Sequence, residues 1–509
     1  MKRSLHVVGD TGERPVHPPR AVAIGDRLVS VVDTGDGRSG LRFVDLLVDA
    51  GGAQVSLAHD ANIDLRVVIR ATARSAAARL HAEALEEAAD VLLGSARPVF
   101  ARLFASTCAR WANSLVAARP LSSKVETMAE VPEYIPGLAG IPAARSSICL
   151  IDGSVGKLQY RGYPIEVLAD RGSYEEVAYL LVFGRLQSTG ELDEFRNQLI
   201  SERGLKFRII DLLKTLPESG QPMDALTAAV AAMGMFYKGD HISDPEFLRL
   251  SVIRLIAKLP TIVAAWHRIR RGDDPIKPST ELSHAANFLY MLEGEVPTRL
   301  AERVFDVALT LHAEHSMNAS TFTARVTGST LTDPYAVVAS AIGSLAGPLH
   351  GGANEQVLST LGSIEDRSPH AVRRWAEDRL ARKEKIMGFG HRVYKVKDPR
   401  ATILQELATQ LFQKFGSTPD YDLAVELEQQ MTDLVGGKGI YPNVDFYSGI
   451  VYQKLGIPSD LFTPIFAISR VSGWLAHLLE QLEGNRIFRP SQIWVGEADR
   501  TYVPIEERA

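Results

Sequence analysis

Two segments in the last third of the chain decide the fold, GSLAGPLHGGANEQV at residues 343–357 and KIMGFGHRVYKVKDPR at residues 385–400. Each places a histidine, His350 or His391, in a glycine-rich turn where the backbone can approach a ligand closely. Gly347-Pro348 is expected to end one helix, because proline cannot continue it, and the next helix should begin just after His350. A histidine at a helix N-terminus lies at the positive end of the helix dipole, which disfavours the protonated ring. A neutral imidazole there could donate a hydrogen bond to an oxygen that becomes negative during a reaction, although a capping or packing histidine fits the same turn.

The bulk composition is that of a globular protein with room for two or three domains: 509 residues, 46% of them hydrophobic and 23% charged. The net charge of -5 gives no basic footprint for nucleic acid or for an acidic membrane surface. No apolar run approaches the ~18–20 residues that cross a bilayer. Only two cysteines occur, Cys108 and Cys149, which argues against a disulfide framework and for a reducing compartment. We therefore expect a cytoplasmic protein with no nucleic-acid partner and no membrane partner.

The first 125 residues are predicted to form a separate α+β module of unknown role. The pattern from Ala21 to Asp33 predicts one or two short strands, and Val67–Leu93 and Pro98–Ala118 predict helices. The module shows no catalytic constellation. Its glycine clusters also lack the strand-then-helix frame of a nucleotide-binding loop.

The rest of the chain is predicted to be a mainly α body. Ser146–Ile151 and Lys157–Tyr160 predict a β-hairpin around the turn Asp152-Gly153. After Tyr163 the patterns are almost wholly helical, including one long helical pattern over residues 297–326. Strand patterns are too few for a parallel sheet, and no repeat of about 20–50 residues indicates a helical solenoid.

A pair of histidines, His312 and His315, lies in that long helical pattern. Residues three apart share a helix face, so a metal site has to be considered. The zinc-protease frame, with a glutamate beside the first histidine and four-residue spacing, is not met. We therefore predict no metal, with one histidine packed locally and the other directed into a polar cleft. A metalloenzyme built from His312, His315, His350, His391 and Asp445 is kept as an alternative.

Charged residues near the C-terminus complete the candidate set. Asp445, in PNVDFYSG, fits the N-cap of a helix, and it fits equally a general base placed against a carbon acid. Arg470 lies in the apolar helical run FAISRVSGWLAHLL, where a charge is costly unless it pairs with a protein carboxylate or a ligand carboxylate. Arg400 and Arg489 follow as further anion-binding candidates. Several histidines, one aspartate and three arginines suit a substrate with more than one carboxylate and a proton taken from carbon.

Four motifs, in this order, resemble those of the citrate synthase family: HAEHSMNAST, GPLHGGANE, GFGHRVYKVKDPR and PNVDFYSG. The resemblance covers about residues 137–509, including YRGYPIEVLA at the front and FRPSQIWVGEADRTYVPIEER at the end. It implies a multi-helical two-domain fold that forms a homodimer or a higher homo-oligomer. The large helical domain would comprise residues 126–351 plus 457–509, and the small helical domain, residues 352–456, would close over the active-site cleft. The N-terminal module, residues 1–125, lies outside the resemblance.

The resemblance also implies roles for the catalytic residues. Asp445 would remove a methyl proton from acetyl-CoA. His350 would donate a hydrogen bond to the thioester oxygen and stabilise the enol or enolate. His391 would donate to the ketone of oxaloacetate and polarise it for attack.

Substrate-binding roles follow from the same resemblance. His315, rather than His312, matches the family's oxaloacetate-binding histidine. Arg400 and Arg470 match its carboxylate-binding arginines, and Arg489 matches one that is contributed across the dimer. The residues expected to contact coenzyme A are Ile386, Met387, Gly388, Phe389, Gly390 and Lys438.

The function that the resemblance implies is that of citrate synthase, an acyltransferase with no permanently bound cofactor and with acetyl-CoA as co-substrate. It would condense acetyl-CoA with oxaloacetate and water to give citrate and CoA. A 2-methylcitrate synthase using propionyl-CoA is the nearest alternative, because one methylene is worth only about 1–3 kcal/mol in an apolar pocket. The metalloenzyme and a non-catalytic regulator with this fold complete the alternatives.

Overall fold

The computed structural model describes the backbone of five strands within residues 20–71 and the chain over residues 134–508, apart from residues 238, 240 and 241. The chain divides into two units, Met1–Glu133 and Tyr134–Ala509, and each is described by itself. The predicted division of the second unit into a large and a small domain stays a prediction.

The first unit contains antiparallel strands: β1 (Arg20–Ile24), β2 (Arg27–Asp33), β3 (Ser39–Gly40), β4 (Ala53–Asp60) and β5 (Asp64–Ala71). β1 pairs with β2 and β2 with β3, while β4 and β5 form a separate hairpin. The strands predicted between Ala21 and Asp33 are therefore confirmed. The helix predicted from Val67 is wrong for residues 67–71, since the β-branched run at 67–69 suits the ladder with β4 better than a helix. The rest of that helix and the one predicted at 98–118 lie outside the described residues.

The second unit is mainly helical, which confirms the predicted fold class. Its helices are α1 (Ile165–Arg171), α2 (Tyr174–Phe183), α3 (Thr189–Glu202), α4 (Phe207–Thr215), α5 (Pro222–Met233), α6 (Pro245–Ile269), α7 (His284–Glu293), α8 (Arg299–His312), α9 (Ala319–Ser329), α10 (Pro334–Leu345), α11 (Ala353–Gly362), α12 (Pro369–Ala381), α13 (Pro399–Phe415), α14 (Pro419–Val435), α15 (Val444–Lys454) and α16 (Phe462–Glu483). Many begin at a polar cap followed by proline, whose fixed φ suits the first helical turn.

A small sheet precedes the helices. It consists of β6 (Cys149–Asp152), β7 (Lys157–Tyr160) and β8 (Tyr163–Pro164), all antiparallel, and it confirms the predicted hairpin. The hydroxyl of Tyr160 is buried and donates to the carbonyl of Glu314, 2.8 Å away, which anchors the sheet beside the end of α8. At the hairpin turn the carbonyl of Gly153 accepts from the Lys395 N–H at 2.8 Å. A Cβ at position 153 would lie 2.1 Å from the Val393 carbonyl oxygen, so this approach requires glycine.

Helix α16 is the centre of the second unit and is buried along almost its whole length. Its apolar side chains join the main core, and each large aliphatic side chain buried there contributes roughly 1.5–3 kcal/mol. Polar side chains occupy another face: Ser469, Arg470, Trp474 and His477 are all buried and bond to α8, α9 or the segment between them. This polar stripe positions part of the site described below.

The long helix predicted over residues 297–326 is two helices. α8 ends at His312 and α9 begins at Ala319, where Asn318 caps the new helix by accepting from the Thr321 N–H at 3.0 Å. Ser316, between them, has a left-handed φ of 57°. The apolar periodicity continues across the break, and only the Asn318 cap signals it in the sequence. His312 and His315 therefore do not share a helix face.

Candidate active site

The two histidines around the end of α8 have different surroundings. His312 is buried, its Nδ1 lies 2.7 Å from the Ala308 carbonyl oxygen, and its ring packs edge-on against Phe466. Burial lowers the pKa of His312 to about 3, so this ring is a neutral packing group. His315 lies in the break, with Nε2 3.3 Å from the Tyr394 hydroxyl and its ring 5.2 Å from that of His391. Burial, followed by the nearby Arg400, holds the pKa of His315 well below its usual range.

The turn before α11 carries His350. The His350 N–H donates to the Gly347 carbonyl and the Gly351 N–H to the Leu345 carbonyl, both at 2.9 Å. A Cβ at position 351 would lie 2.5 Å from the Leu345 carbonyl oxygen, so the turn depends on glycine there. α10 ends and α11 begins on either side of this turn, as the glycine and proline pattern predicts.

The imidazole of His350 is oriented by the first turn of α9. Its Nε2 lies 3.3 Å from the Ser320 backbone nitrogen and 2.8 Å from the Ser320 hydroxyl, which also accepts from the Trp474 indole at 3.1 Å. Because a backbone N–H can only donate, Nε2 is the accepting nitrogen and the proton of the neutral ring lies on Nδ1. Burial, followed by the charge of Arg470, lowers the pKa of His350 to about 4, so the ring is neutral near pH 7.

His391 is held by its own turn. Its Nδ1 accepts from the backbone N–H groups of Val393 at 3.0 Å and Tyr394 at 3.1 Å, which leaves the ring proton on Nε2. Burial, followed by the charge of Arg400, lowers the pKa of His391 to about 4. The two preceding glycines have positive φ, and a Cβ at Gly388 would lie 2.7 Å from the Phe446 ring.

Backbone contacts join the His391 segment to the start of α15. The Gly390 N–H donates to the Tyr441 carbonyl at 2.9 Å, and the Asn443 side chain donates to the Gly390 carbonyl at 3.0 Å. Asn443, and not Asp445, is the N-cap of α15, since its side-chain oxygen accepts from the Asp445 N–H at 3.1 Å. The capping explanation of Asp445 is therefore wrong, and its carboxylate is free for another role.

The carboxylate of Asp445 makes no hydrogen bond or ion pair within the described residues. Burial raises the pKa of Asp445 to about 6, against the lowering effect of the positive charge on Arg400. A carboxylate with a pKa close to the working pH is ionised yet basic enough to accept a proton. The free carboxylate therefore has the properties of a general base.

Arg400 and Arg470 are both buried but differ in their partners. Arg400 forms a bidentate pair with Asp398, with Nε 3.0 Å from Oδ1 and Nη2 2.7 Å from Oδ2. Arg470 is 1% exposed, its Nε donates to the His312 carbonyl at 2.7 Å, and its guanidinium stacks over Phe466. No carboxylate of the described residues lies within 4 Å of Arg470. Its remaining N–H groups are therefore suited to a ligand carboxylate.

Arg489 is not brought to this site within the one chain. It lies in the largely exposed segment that follows α16, and it makes no hydrogen bond or ion pair with the other candidate residues that the structure describes. Its predicted place across a dimer stays a prediction.

The residues predicted to contact coenzyme A lie at one edge of the His391 segment. Phe389 packs edge-on against Phe446, and Lys438 is exposed at the end of a short 3-10 turn. Gly439, with φ of 74°, lies so close to Lys395 that a Cβ would be 2.9 Å from the Lys395 carbonyl oxygen. Lysines 395 and 438 therefore lie on neighbouring backbone segments. The rest of the predicted set comprises Ile386, Met387, Gly388 and Gly390, of which Ile386 and Gly388 are buried.

Sequence reasoning missed several supporting residues. Ser320 and Trp474 orient His350, Asp398 holds Arg400, and the fully buried Glu314 pairs with His477 at 3.1 Å. Only Asp398 carries a local signal, since it stands two residues before Arg400. Ser320 is 30 residues from His350, Trp474 is 154 residues from Ser320, and no spacing rule predicts these partners.

The arrangement combines neutral imidazoles with free N–H donors, one basic carboxylate and two buried guanidiniums.

Within residues 134–508 and the strands described before them, no group of three His, Cys, Asp or Glu side chains could hold a metal ion. In the same residues, no helix is long and apolar enough to cross a membrane. The imidazoles, the carboxylate and the guanidiniums are suited to acid–base chemistry on an anionic substrate.

Comparison with known proteins identifies the family. The family model described as citrate synthase, C-terminal domain, matches residues 137–491. A citrate synthase from Synechocystis is 59% identical over 375 residues, which are 73% of this chain and 93% of the relative. One from Acidithiobacillus ferridurans is 49% identical over 388 residues, 75% of this chain and 100% of the relative. The chain belongs to the citrate synthase family, and its enzymatic class is that of the acyltransferases.

Solved structures agree with this assignment. The citrate synthase of Pyrobaculum aerophilum is 40% identical, with a TM-score of 0.69, and the match covers 76% of this chain and 100% of that one. The enzyme of Thermoplasma acidophilum, solved as a ternary complex with carboxymethyl coenzyme A and oxaloacetate, is 34% identical, with a TM-score of 0.68 over 72% and 98% of the two chains. The predicted family and fold are thus confirmed, and a 2-methylcitrate synthase is not favoured.

Proposed function

We propose that the chain condenses acetyl-CoA with oxaloacetate and water to give citrate and free CoA. The observation that carries the proposal is the free carboxylate of Asp445, whose pKa is raised to about 6 beside buried arginines. The Thermoplasma relative, solved with a coenzyme A derivative and oxaloacetate, supports this pair of substrates.

Proton removal is the first step of the proposed reaction. Asp445 takes a proton from the methyl group of the thioester, and the electron pair left on carbon moves toward the thioester oxygen. The α-carbon of a thioester is a weak acid, so that oxygen has to be stabilised at the same moment. The Nδ1–H of neutral His350 is the donor for this oxygen.

Carbon–carbon bond formation follows. The enol carbon attacks the ketone of oxaloacetate, and the ketone oxygen becomes an alkoxide. The proton that this oxygen takes up balances the one that Asp445 removed from the methyl group. The Nε2–H of His391 polarises this ketone, and the neighbouring His315 helps to bind oxaloacetate. Asp398 engages Nε and Nη2 of Arg400, so Nη1 is the nitrogen that faces the substrate, and Arg470 binds a second carboxylate.

Hydrolysis of the thioester then releases citrate and CoA. We assign water exclusion before this step to closure of the proposed small domain, residues 352–456, on the large domain. The backbone of residues 386–390 would lie against coenzyme A, and Lys438 would meet a phosphate. Acetyl-CoA is a co-substrate, and the proposed chemistry uses only side chains of the enzyme.

A homodimer completes the proposed site. Arg489 lies on a segment that exposes large apolar side chains, including Trp494 at 67% and Val495 at 93%. A second copy of the chain would cover these side chains and receive Arg489 at its own cleft. A cytoplasmic location remains the prediction from the two cysteines.

The test is the substitution Asp445→Gly. We expect condensation to fall at least about 1,000-fold, because the base is removed, while oxaloacetate still binds through the arginines. Turnover is measured by CoA release, and oxaloacetate binding by calorimetry. Near-normal turnover would overturn the assignment of the base.

A further inference from the structure

A buried carboxylate outside the proposed chemistry joins the two segments that carry it. Glu428, on α14, is 9% exposed and accepts hydrogen bonds from three different side chains. Lys397 lies 2.5 Å from its Oε1, Gln405 donates to its Oε2 at 2.7 Å, and the Tyr447 hydroxyl donates to the same Oε2. A carboxylate in this position is satisfied by one cation and two neutral donors.

The partners of Glu428 belong to the segments that hold the site. Lys397 directly precedes Asp398, whose carboxylate fixes Arg400. Tyr447 is fully buried on α15, two residues after Asp445. Glu428 therefore connects the Arg400 side of the site with the Asp445 side, through an ion pair with Lys397 and a hydrogen bond from Tyr447.

Gln405 links two members of this cluster. Gln405, on α13, accepts from Lys397 at 2.6 Å with its oxygen and donates to Glu428 with its nitrogen. Lys397, Gln405 and Glu428 thus form one closed ring of hydrogen bonds, and the Tyr447 hydroxyl joins it through Oε2 of Glu428, so none of the four can move without breaking a bond of the cluster. Burial and the negative charge of Glu428 raise the pKa of Tyr447, so its hydroxyl remains a donor.

We propose that Glu428 is a positioning residue that sets the distance between Asp445 and the Arg400 guanidinium. The proposal rests on the proposed roles of those two residues. Glu428 acts through Lys397 and Tyr447 and contacts no reacting atom. Since a shift of about 1 Å in a reacting group can cost about 100-fold in rate, a loosened cluster should lower turnover more than substrate binding.

The experiment compares Glu428→Gln, Lys397→Met and Tyr447→Phe with Asp433→Asn, an exposed carboxylate on the same helix that serves as control. An amide at position 428 must direct an N–H toward at least one donor, so one bond of the cluster is lost. We expect Glu428→Gln to lower kcat about 10- to 100-fold, with each KM changed less than about 3-fold. Asp433→Asn should change neither constant.

The double variant Lys397→Met/Tyr447→Phe tests whether the two sides act through one carboxylate. If each single change lowers kcat about 5-fold, the pair should lower it by clearly less than the product of the two, because the second change acts on a connection that is already broken. This pair also decides the question if Glu428→Gln does not fold, as judged by circular dichroism.

Two results would overturn the proposal. One is a kcat within about 2-fold of the parent for Glu428→Gln, with only the unfolding temperature lowered, which describes a structural role. The other is full additivity of the double variant. Asp445→Gly, measured in parallel, separates the failures: if it is inactive while Glu428→Gln is unaffected, the inference about Glu428 is wrong and the proposed function stands.

Discussion

The turns of His350 and His391 look alike in sequence but present opposite nitrogens of the imidazole ring. His391 accepts at Nδ1 from N–H groups two and three residues further along its own turn, so Nε2–H is free. His350 accepts at Nε2 from Ser320, thirty residues earlier in the chain, so Nδ1–H is free. One tautomer is fixed locally and the other by tertiary structure. Similar turns can therefore supply two donors of different geometry to two carbonyl groups.

Replacing His350 or His391 with asparagine or glutamine is the strongest test of which ring nitrogen carries the donated proton. The amide of asparagine places its N–H near the position of Nδ1–H, and that of glutamine near Nε2–H. We expect alanine at either position to lower kcat about 1,000-fold, the upper range for loss of one oxyanion donor. His350→Asn should retain about 10 times more activity than His350→Gln, and the order should reverse at position 391.

Steady-state kinetics with all six single variants measures this prediction, and far-UV circular dichroism serves as the control for folding. The same preference for one amide at both positions would contradict the assigned tautomers.

The pH dependence separates Asp445 from the two histidines. The pKa of Asp445 is about 6 and those of His350 and His391 are about 4. Asp445 must be ionised to accept a proton, so kcat/KM should fall as pH drops through about 6, approaching tenfold per pH unit. Both imidazoles stay neutral over this range, and they add no further loss until about pH 4. A pH profile of kcat/KM measures this fall. A profile that falls only near pH 4 would count against Asp445 as the base.

Removing the Ser320 hydroxyl should affect only one of the two turns. Ser320→Ala keeps the backbone N–H that donates to His350 and removes the 2.8 Å contact of the hydroxyl. We expect kcat to fall about 5- to 20-fold, because the ring is held by one bond where it had two. Oxaloacetate binding should be unchanged, since His391 does not contact Ser320. A loss confined to oxaloacetate affinity would refute this role.

Glycine substitutions give the smallest expected effect. Gly351→Ala places a Cβ 2.5 Å from the Leu345 carbonyl oxygen, so we expect unfolding free energy to fall by about 1–3 kcal/mol. Gly343→Ala, in the interior of α10 with nothing within 4 Å of the new Cβ, should raise it by about 0.5–1 kcal/mol. Urea unfolding of the two variants and the parent measures both changes in unfolding free energy. Equal effects would show that the turn tolerates a side chain.

The sequence predicts features that depend on local chemistry. Gly347-Pro348 ends α10, the alternating residues around Asp152-Gly153 form the hairpin, and the motif order identifies the family. The break after His312 escaped prediction, because the apolar period continues through it and Asn318 alone marks the new helix.

The partners of the site residues were harder to predict. Asp398, two residues before Arg400, is the one partner with a local signal in the sequence, and the structure shows that it pairs with Arg400. Trp474 and Ser320 meet because α16 passes the start of α9, a packing fact that no local pattern contains. The sequence alone leaves Asp445 open between a helix cap and a general base, and the structure shows that Asn443 is the cap.

The carbonyl of Gly153 has a consequence for measuring motion. It accepts from the amide of Lys395, four residues after His391, and so connects the β6–β7 hairpin to the segment that carries this histidine. Exchange of that single amide hydrogen with solvent deuterium requires the bond to open. The Lys395 amide is therefore a built-in reporter of how often the two segments separate.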